Sequence, residues 1–244
     1  MTAVLVHGVP ETPGLWKPLI AKLKRTDIVT PALPGFVTQR PAGFGATMDE
    51  YAAWLIRELE AIGEPVDLVG HDWGGGFTVR VVSLRPDLVR SWVTDAAGLA
   101  DVNFEWHAFA KIWQTPGEGE AFFEGMLASP PAERAAGLAA GGMPEADALD
   151  AAEALNPSMA SSILELYRSA TKVQEAWGPE FADIPKPGMV LVPLEDAFLN
   201  PDGARNAAKK AGARVTELSG LGHWWMLQDP TRGAGVLEDF WGSV

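Results

Sequence analysis

Short apolar runs rich in valine and leucine alternate with longer amphipathic stretches along most of this chain. Such runs, bounded by turn-forming residues, are typical of buried strands. The pattern predicts six strands, at residues 3–6, 27–30, 66–69, 91–94, 189–194 and 214–218. Because helical segments separate strands that are apolar on both faces, we expect an α/β fold with a mostly parallel sheet and helices on both sides.

Capping signals locate several helices between these strands. Thr47 and Glu50 form a capping-box pattern ahead of an apolar stripe, which predicts a helix that ends near residue 62. A second helix is expected to leave the glycine-rich turn near residue 75 and to end before Pro86. Asn200 and Asp229 each precede a proline, which predicts a helix start at both places.

The stretch from residue 98 to residue 183 lacks any valine-rich strand and is helical in composition. It ends in the stiff segment Ile-Pro-Lys-Pro at 184–187, which leads back to the sheet. We therefore predict a sheet-bearing core, residues 1–97 and 184–244, and an inserted helical cap, residues 98–183. The alternative is a set of ordinary helices covering the sheet, but connections between parallel strands are usually short.

Composition and charge limit the partners of this protein. Its 244 residues suffice for one α/β domain with a full core, and 32 acidic against 19 basic residues give a net charge of −13. This charge argues against binding to nucleic acid or to anionic lipid. The chain has no cysteine, no apolar run of membrane-spanning length, and a first segment that reads as a core strand rather than a signal peptide. We expect a cytoplasmic protein that acts on a small molecule, and a homodimer is left open.

A glycine-rich turn follows the third apolar run and presents Asp72 where many hydrolases carry a serine. A serine in such a turn needs a base to remove its proton as it attacks a carbonyl. A carboxylate is already an anion, and it displaces a leaving group from a saturated carbon, leaving an ester that water must hydrolyse. Asp72 therefore favours epoxides or alkyl halides over esters as substrates. The alternative is a loop aspartate that caps the following helix.

Three motifs follow one another in the chain: H-G-V-P-E at 7–11, G-H-D-W-G-G at 70–75, and G-H-W at 222–224, with Gln, Asp and Pro at 228–230. Together they resemble the epoxide hydrolase branch of the α/β-hydrolase superfamily, in which the chain order is nucleophile, acid, histidine. The resemblance covers the whole chain apart from the middle of the cap. It implies an α/β-hydrolase fold and makes His223 the base that takes a proton from water. It implies no metal and no organic cofactor.

A histidine base needs an acidic partner to fix its tautomer and to stabilise the imidazolium. Asp196 follows the predicted strand at 189–194 and fits the family pattern of an acidic residue, an aspartate and then a proline a few positions on. Its neighbour Glu195 is one alternative. Asp95 is the other, because some dehalogenases carry their acid after the preceding strand.

Hydrolysis of the ester builds negative charge on a former carboxylate oxygen, which requires donors fixed in place. In the resembling family these are the backbone N–H groups of the residue after the nucleophile and of the third residue of H-G-x-P. The corresponding residues are Trp73 and Val9.

Opening an epoxide also requires a proton donor to the departing oxygen. Epoxide hydrolases usually take two tyrosines from the cap, and Tyr167, followed by Arg168, resembles the second of them. The first is replaced by Phe109, which cannot donate. His107 lies two residues earlier and is a candidate replacement, although a lone cap histidine is more often a packing or surface residue.

The predicted substrate pocket is lined by Pro10, Trp106, Phe109, Trp113 and Trp224. Trp106 and Trp113 are instead halide-binding donors if the protein is a haloalkane dehalogenase, which is the main alternative. Against it, Val9 stands where one dehalogenase group carries asparagine. Fluoroacetate dehalogenase is disfavoured separately, because that group carries arginine after the nucleophile, where this chain has Trp73. Two further hypotheses are a non-catalytic small-molecule receptor on this fold and an esterase or lactonase. The set of Asp72, His223 and an acid argues against the first, and the missing serine argues against the second.

Overall fold

Six parallel strands form the sheet at the centre of the computed structural model, which describes residues 2–244. The strands are β1 (Ala3–Val6), β2 (Ile28–Val29), β3 (Val66–Gly70), β4 (Val89–Thr94), β5 (Gly188–Pro193) and β6 (Arg214–Leu218). Their order across the sheet is β2-β1-β3-β4-β5-β6, and every neighbouring pair is parallel. The carboxyl ends of all six strands therefore lie at one edge of the sheet, where the following loops meet.

The predicted strands are present with small shifts at their ends. β2 has only two of the four predicted residues, because it lies at the sheet edge, pairs with β1 alone and is partly exposed. β4 begins two residues earlier than predicted, at Val89, and β5 ends one residue earlier, at Pro193.

Helices cover both faces of the sheet and make up most of the segment between β4 and β5. They are α1 (Lys17–Ile20), α2 (Met48–Ile62), α3 (Trp73–Leu84), α4 (Ala108–Gln114), α5 (Glu118–Ala128), α6 (Pro131–Ala140), α7 (Glu145–Ala154), α8 (Pro157–Ser169), α9 (Val173–Ala176), α10 (Pro201–Ala211), α11 (Trp225–Gln228) and α12 (Pro230–Trp241). No helix among residues 2–244 is both long enough and apolar enough to cross a membrane.

The helix starts read from the sequence agree with the structure. Thr47 and Glu50 form both hydrogen bonds of a capping box at the start of α2, which satisfies two otherwise unpaired groups of the first turn. Asn200 and Asp229 cap α10 and α12 through their side chains. The exception is α3, which begins at Trp73 and not near residue 75, because the chain enters the helix directly from Asp72.

The inserted segment packs over the carboxyl edge of the sheet around α8. This helix contacts α2 of the core as well as α4 and α5, and its residue Tyr167 is almost completely buried. α6 and α7 pack against each other and bury alanines between them. The insert thereby places aromatic and polar side chains above the loops that follow β1, β3 and β5.

The two faces of the sheet belong to two hydrophobic clusters. Alternate residues of β1 point to opposite faces, so that Val4 joins the cluster of α2, α3 and the insert, whereas Leu5 joins the cluster of Trp16, α11 and α12. Burial on both faces explains why the strands read as almost continuous apolar runs. The rigid core fixes the strand ends, and the functional side chains lie directly beyond them.

Candidate active site

Asp72 lies in a tight turn between β3 and α3, with φ of 49° and ψ of −121°. A non-glycine residue rarely adopts this conformation, so the turn is strained and must be held by its surroundings. Close approach of the chain to β1 explains two of the glycines: a Cβ at Gly74 would lie 2.2 Å from the carbonyl oxygen of Val6. A Cβ at Gly8 would lie 2.4 Å from the Cβ of Asp72. The glycines therefore allow Asp72 to stand at the sheet edge.

The carboxylate of Asp72 is held by backbone donors. The Val9 N–H donates to Oδ1 at 2.9 Å, and the backbone N–H of Trp73 acts on the same carboxylate and lowers its pKa. Burial has the larger, opposite effect and raises the pKa of Asp72 to about 6, although the charge of His223 favours the anion. The backbone N–H groups of Val9 and Trp73 therefore both act on the carboxylate of Asp72, and their role as an oxyanion hole stays a prediction.

His223 lies beside this carboxylate and is oriented by Asp196. Its Nδ1 is 2.9 Å from Oδ2 of Asp196, and its Nε2 is 3.9 Å from Oδ2 of Asp72. If Nδ1 carries the proton donated to Asp196, Nε2 is left to accept one. Burial alone would lower the pKa of His223, but the charge of Asp196 and the hydrogen bond to it raise that pKa above its usual value. The gap between His223 and Asp72 is too long for a hydrogen bond and leaves room for a water that both could contact.

The other two candidate acids do not hold His223: Asp95 is engaged elsewhere, and Glu195 is exposed. Asp95 accepts from the backbone N–H of Asp72 through Oδ1 at 2.9 Å, and its Oδ2 is 2.6 Å from Nδ1 of His71. Glu195 belongs to the loop after β5, where its backbone N–H donates to the carbonyl of Leu221. The structure thus brings Asp196, and neither alternative, to the imidazole of His223.

A second buried histidine, His71, packs against the ring of His223. The ring centroids of His71 and His223 are 4.6 Å apart, and Nε2 of His71 is 3.2 Å from Oε1 of Glu11 while Asp95 holds Nδ1. Burial opposes protonation of His71, but the two carboxylates raise its pKa well above the usual value. In the same way the charge of His71 overcomes burial and lowers the pKa of Glu11 to about 2. His71 therefore lies buried between two carboxylates that favour its protonated form.

Glu11 is the last residue of the H-G-V-P-E motif, and the motif alone assigns it no role. In the structure it also accepts from the indole N–H of Trp224 at 2.6 Å and from the backbone N–H of Gly8 at 3.0 Å. It thus ties the loop after β1 to the loop that carries His223. The sequence signal that could have pointed to this contact is the acidic residue four positions after His7.

Glu11, His71 and His223 also offer one potential metal-ligand atom each within 4.8 Å of one another. However, His71 already uses Nε2 toward Glu11 and Nδ1 toward Asp95. A protonated imidazole has no lone pair to offer a metal. The close approach of these residues is explained by the ion pairs of His71 with Glu11 and Asp95.

A cavity of about 500 Å³ opens above Asp72, between the loops of the core and the insert. Its polar or charged side chains are Asp72, His107, Arg134, Tyr167 and His223, and its other lining residues are apolar or glycine. Such a mostly apolar cavity with a few convergent polar groups is typical of a small-molecule site.

Four of the five residues expected to line the pocket do so, namely Pro10, Phe109, Trp113 and Trp224. Trp106 does not. Its ring stacks on Trp73 at 5.7 Å, and its N–H donates to the carbonyl of Ala170 at 3.0 Å. Trp106 is therefore a packing residue beneath the cavity, and this part of the sequence prediction is wrong.

Tyr167 comes from α8 and lines the cavity together with Asp72. It packs edge-on between two tryptophans, with ring centroids 5.6 Å from Trp73 and 4.8 Å from Trp113. Burial first, and then the charge of Asp72, raise the pKa of Tyr167 well above the usual value. The phenol therefore keeps its proton and is able to donate it as a hydrogen bond near Asp72.

His107 is the N-cap residue of α4, and its ring lines the same cavity. Nδ1 accepts from the backbone N–H of Ala110 at 3.2 Å, which places the ring proton on Nε2. Burial, followed by the charge of His223, lowers the pKa of His107 to about 4. The ring is thus a neutral N–H donor at neutral pH, as the sequence hypothesis requires. Phe109, by contrast, lines the cavity without a polar group.

The fold agrees with comparisons to known proteins. Residues 3–235 match the model of the alpha/beta hydrolase family, and the chain belongs to that family. A curated relative named haloalkane dehalogenase 2, from Mycobacterium tuberculosis, is 32% identical over 122 residues. That match covers 46% of this chain and 41% of the relative, so the chain spans well under half the length of the curated relatives it matches.

Solved structures of both enzyme kinds share the fold. Epoxide hydrolase VrEH1 from Vigna radiata superposes with a TM-score of 0.79 at 17% identity, covering 100% of this chain and 91% of that one. Epoxide hydrolase A from Mycobacterium thermoresistibile has a TM-score of 0.77 at 22% identity, covering 98% of this chain and 90% of that one. A loop variant of a haloalkane dehalogenase from Bradyrhizobium elkanii has a TM-score of 0.75 at 18% identity, covering 99% of this chain and 90% of that one. At these identities the likeness concerns the fold, and the predicted α/β-hydrolase fold with a helical insert is confirmed.

Proposed function

We propose that this protein hydrolyses an epoxide to a vicinal diol through a covalent ester on Asp72. The observation that carries the proposal is the presence of two neutral donors, Tyr167 and His107, in the cavity that holds the carboxylate. An alkoxide is a poor leaving group unless it receives a proton, whereas a halide leaves without one. Proton donors in the same cavity as Asp72 therefore favour an epoxide over an alkyl halide as the substrate.

In the first step an oxygen of Asp72 attacks a ring carbon and the carbon–oxygen bond of the epoxide breaks. The departing oxygen takes the proton of Tyr167 and accepts a hydrogen bond from Nε2 of His107. Oδ2 is the attacking atom, because Oδ1 is held by the N–H of Val9. The products are an alkyl ester and a tyrosinate.

In the second step His223 removes a proton from water, and the resulting hydroxide adds to the ester carbonyl. Negative charge develops on Oδ1, where the N–H groups of Val9 and Trp73 stabilise it. Collapse expels the diol oxygen, which takes the proton from His223. The regenerated carboxyl of Asp72 then loses its proton as Tyr167 is reprotonated, and the cycle closes without a cofactor.

A second candidate, haloalkane dehalogenase, has support from the partial relatives and from two indoles. Nε1 of Trp73 and Nε1 of Trp113 are buried indole donors, and two such donors are suited to a halide ion. However, the ring of Tyr167 packs against both indoles, and the side chain of Trp73 acts as a hydrogen-bond donor toward its phenol. This placement favours the epoxide.

The test supplies purified protein with styrene oxide and with a short bromoalkane in parallel, scoring diol by chromatography and bromide by an ion assay. Diol without bromide supports epoxide hydrolysis. Bromide alone would replace it with the dehalogenase hypothesis. If neither forms with these or longer-chain substrates while ligands bind the cavity, the receptor hypothesis is favoured. The Asp72→Ala variant is the control, since it must lose whichever activity is found.

A further inference from the structure

Arg134 projects from α6 into the wall of the cavity and is 9% exposed. Its Nη1 donates to the carbonyl of Met126 at 3.1 Å, whereas Nε is buried and has no hydrogen-bond partner. No carboxylate of residues 2–244 lies within 4.0 Å of its guanidinium nitrogens. A buried cation with an unused donor is costly in an apolar wall, since charged groups are rarely buried without a partner.

Helix α6 relates Arg134 to the loop that carries His223. Gly141, the residue that ends α6, lies against the ring of Trp224, because a Cβ there would be 3.3 Å from it. Arg134 lies seven residues earlier, which is about 10 Å along a helix. Trp224 follows His223 directly, so the Gly141 end of α6 lies at the loop of His223, and Arg134 lines the same cavity about two helical turns further along α6.

The free part of the guanidinium indicates which group it suits. With Nη1 engaged by Met126, the edge formed by Nε and Nη2 carries no hydrogen bond to a described residue. Two parallel N–H donors on one edge match the two oxygens of a carboxylate. The cavity that Arg134 shares with Asp72 and His223 is otherwise lined mainly by apolar residues, among them Phe122, Leu138 and Leu155.

We propose that Arg134 binds the carboxylate of the substrate, and that the substrate is an apolar chain with an epoxide at one end and a carboxylate at the other. This inference rests on the proposed function for the epoxide end, but the carboxylate subsite stands on its own observations. The alkyl chain of the substrate spans the apolar part of the cavity, and its epoxide lies over Asp72. The carboxylate is kept away from Asp72, whose like charge would repel it.

Ligand binding tests the subsite without any turnover. Calorimetry compares undecanoate with undecanol on the wild type, Arg134→Met, Arg134→Lys and Arg205→Met. Arg205→Met is the matched control, because Arg205 is an exposed arginine paired with Glu217 and lies outside the cavity. We expect Arg134→Met to weaken undecanoate at least tenfold relative to undecanol, Arg134→Lys to weaken it less, and Arg205→Met to leave the ratio unchanged. An unchanged ratio in folded Arg134→Met overturns the inference.

Turnover then separates the inference from the proposed function. Epoxidised undecylenic acid and its methyl ester are compared by kcat/KM, and the wild type is expected to prefer the acid at least tenfold, through KM. In Arg134→Met this ratio should approach one. Diol from both compounds without a preference overturns the carboxylate subsite and leaves epoxide hydrolysis standing. The calorimetric shift without diol from any epoxide upholds the subsite and overturns the proposed function.

Discussion

The backbone N–H of Val9 lies 2.9 Å from Oδ1 of Asp72, whereas Oδ2 of the same carboxylate faces Nε2 of His223 at 3.9 Å. The two oxygens therefore have different surroundings. Oδ1 is fixed by a donor that stabilises developing negative charge, and Oδ2 is free to attack. This asymmetry orders the two chemical steps that we propose.

The asymmetry predicts where the oxygen of water goes. Since water attacks the carbonyl carbon of Asp72, the diol of a single turnover in ¹⁸O-water should carry no label from it, and the label should remain on Asp72. Mass spectrometry of the diol and of the peptide containing Asp72 checks this, with multiple turnovers as the control that brings label into the diol. Label in the diol of the first turnover would mean direct attack of water on the epoxide.

His223→Ala separates formation of the ester from its hydrolysis. The variant retains the Asp72 carboxylate, so alkylation proceeds, but no base activates water. We expect intact-protein mass spectrometry to show an increase equal to the mass of the epoxide, with the ester located on Asp72 by peptide mapping. A variant that binds substrate and shows no such increase would argue against covalent catalysis.

Tyr167→Phe tests the donor to the departing oxygen. Loss of a positioned acid should slow ring opening about 10²-fold, whereas any release of bromide from a bromoalkane should not depend on the phenol. His107→Phe should slow the same step by a smaller factor, because Tyr167 remains. Single-turnover rates of ester formation are the measurement, and an unchanged rate in Tyr167→Phe would remove it from the mechanism.

The raised pKa of Asp72 predicts a stability gain when the charge is removed. The folded protein binds a proton at Asp72 up to a pH of about 6, whereas an unfolded aspartate has a pKa of 3.8. Stability is therefore lost as the pH rises between these values, and a shift of this size corresponds to about 3 kcal/mol or less. Asp72→Asn should be inactive, more stable than the wild type at pH 8, and little different at pH 4. Denaturant unfolding of both proteins at the two pH values checks this. The same difference in free energy of unfolding between variant and wild type at both pH values would contradict it.

Glu11→Gln removes one partner of the buried imidazolium His71. The pKa of His71 is raised, so its ion pairs stabilise the folded protein at low pH, and the contribution is lost as the pH rises through the raised value. Breaking a buried pair typically costs about 3 kcal/mol or more. We expect a lower free energy of unfolding at pH 6 in Glu11→Gln, with a smaller difference at high pH. Glu217→Gln, which breaks an exposed pair with Arg205, is the control and should change little.

Much of the fold was readable from the sequence because its signals are local. Buried parallel strands require apolar runs, and the capping box at Thr47 and Glu50 satisfies backbone groups within its own helix. Gly70 is needed by the turn itself, because a Cβ there would lie 2.2 Å from the carbonyl oxygen of Gly74. The sequence therefore indicated a tight turn that presents Asp72, whose role as nucleophile stays a prediction.

Contacts between distant segments were decided only by the tertiary structure. The sequence left three acids open for His223, and the packing of loops after β4 and β5 gave Asp196 to His223 and Asp95 to His71. Likewise, Trp106 and Trp113 have the same side chain, and only their places in the insert put one beneath the cavity and the other in its wall.

The sequence by itself determined the α/β core, the helical insert and the chemistry that Asp72 favours, because strand burial, helix capping and the charge state of a carboxylate depend on residue type and near neighbours. The tertiary structure alone decided which acid orients His223, that His71 lies buried between two carboxylates, and that the Nε of Arg134 is buried without a hydrogen-bond partner in the cavity wall. These facts depend on the burial and distance of groups far apart in the chain, and electrostatic interactions are set by those two quantities.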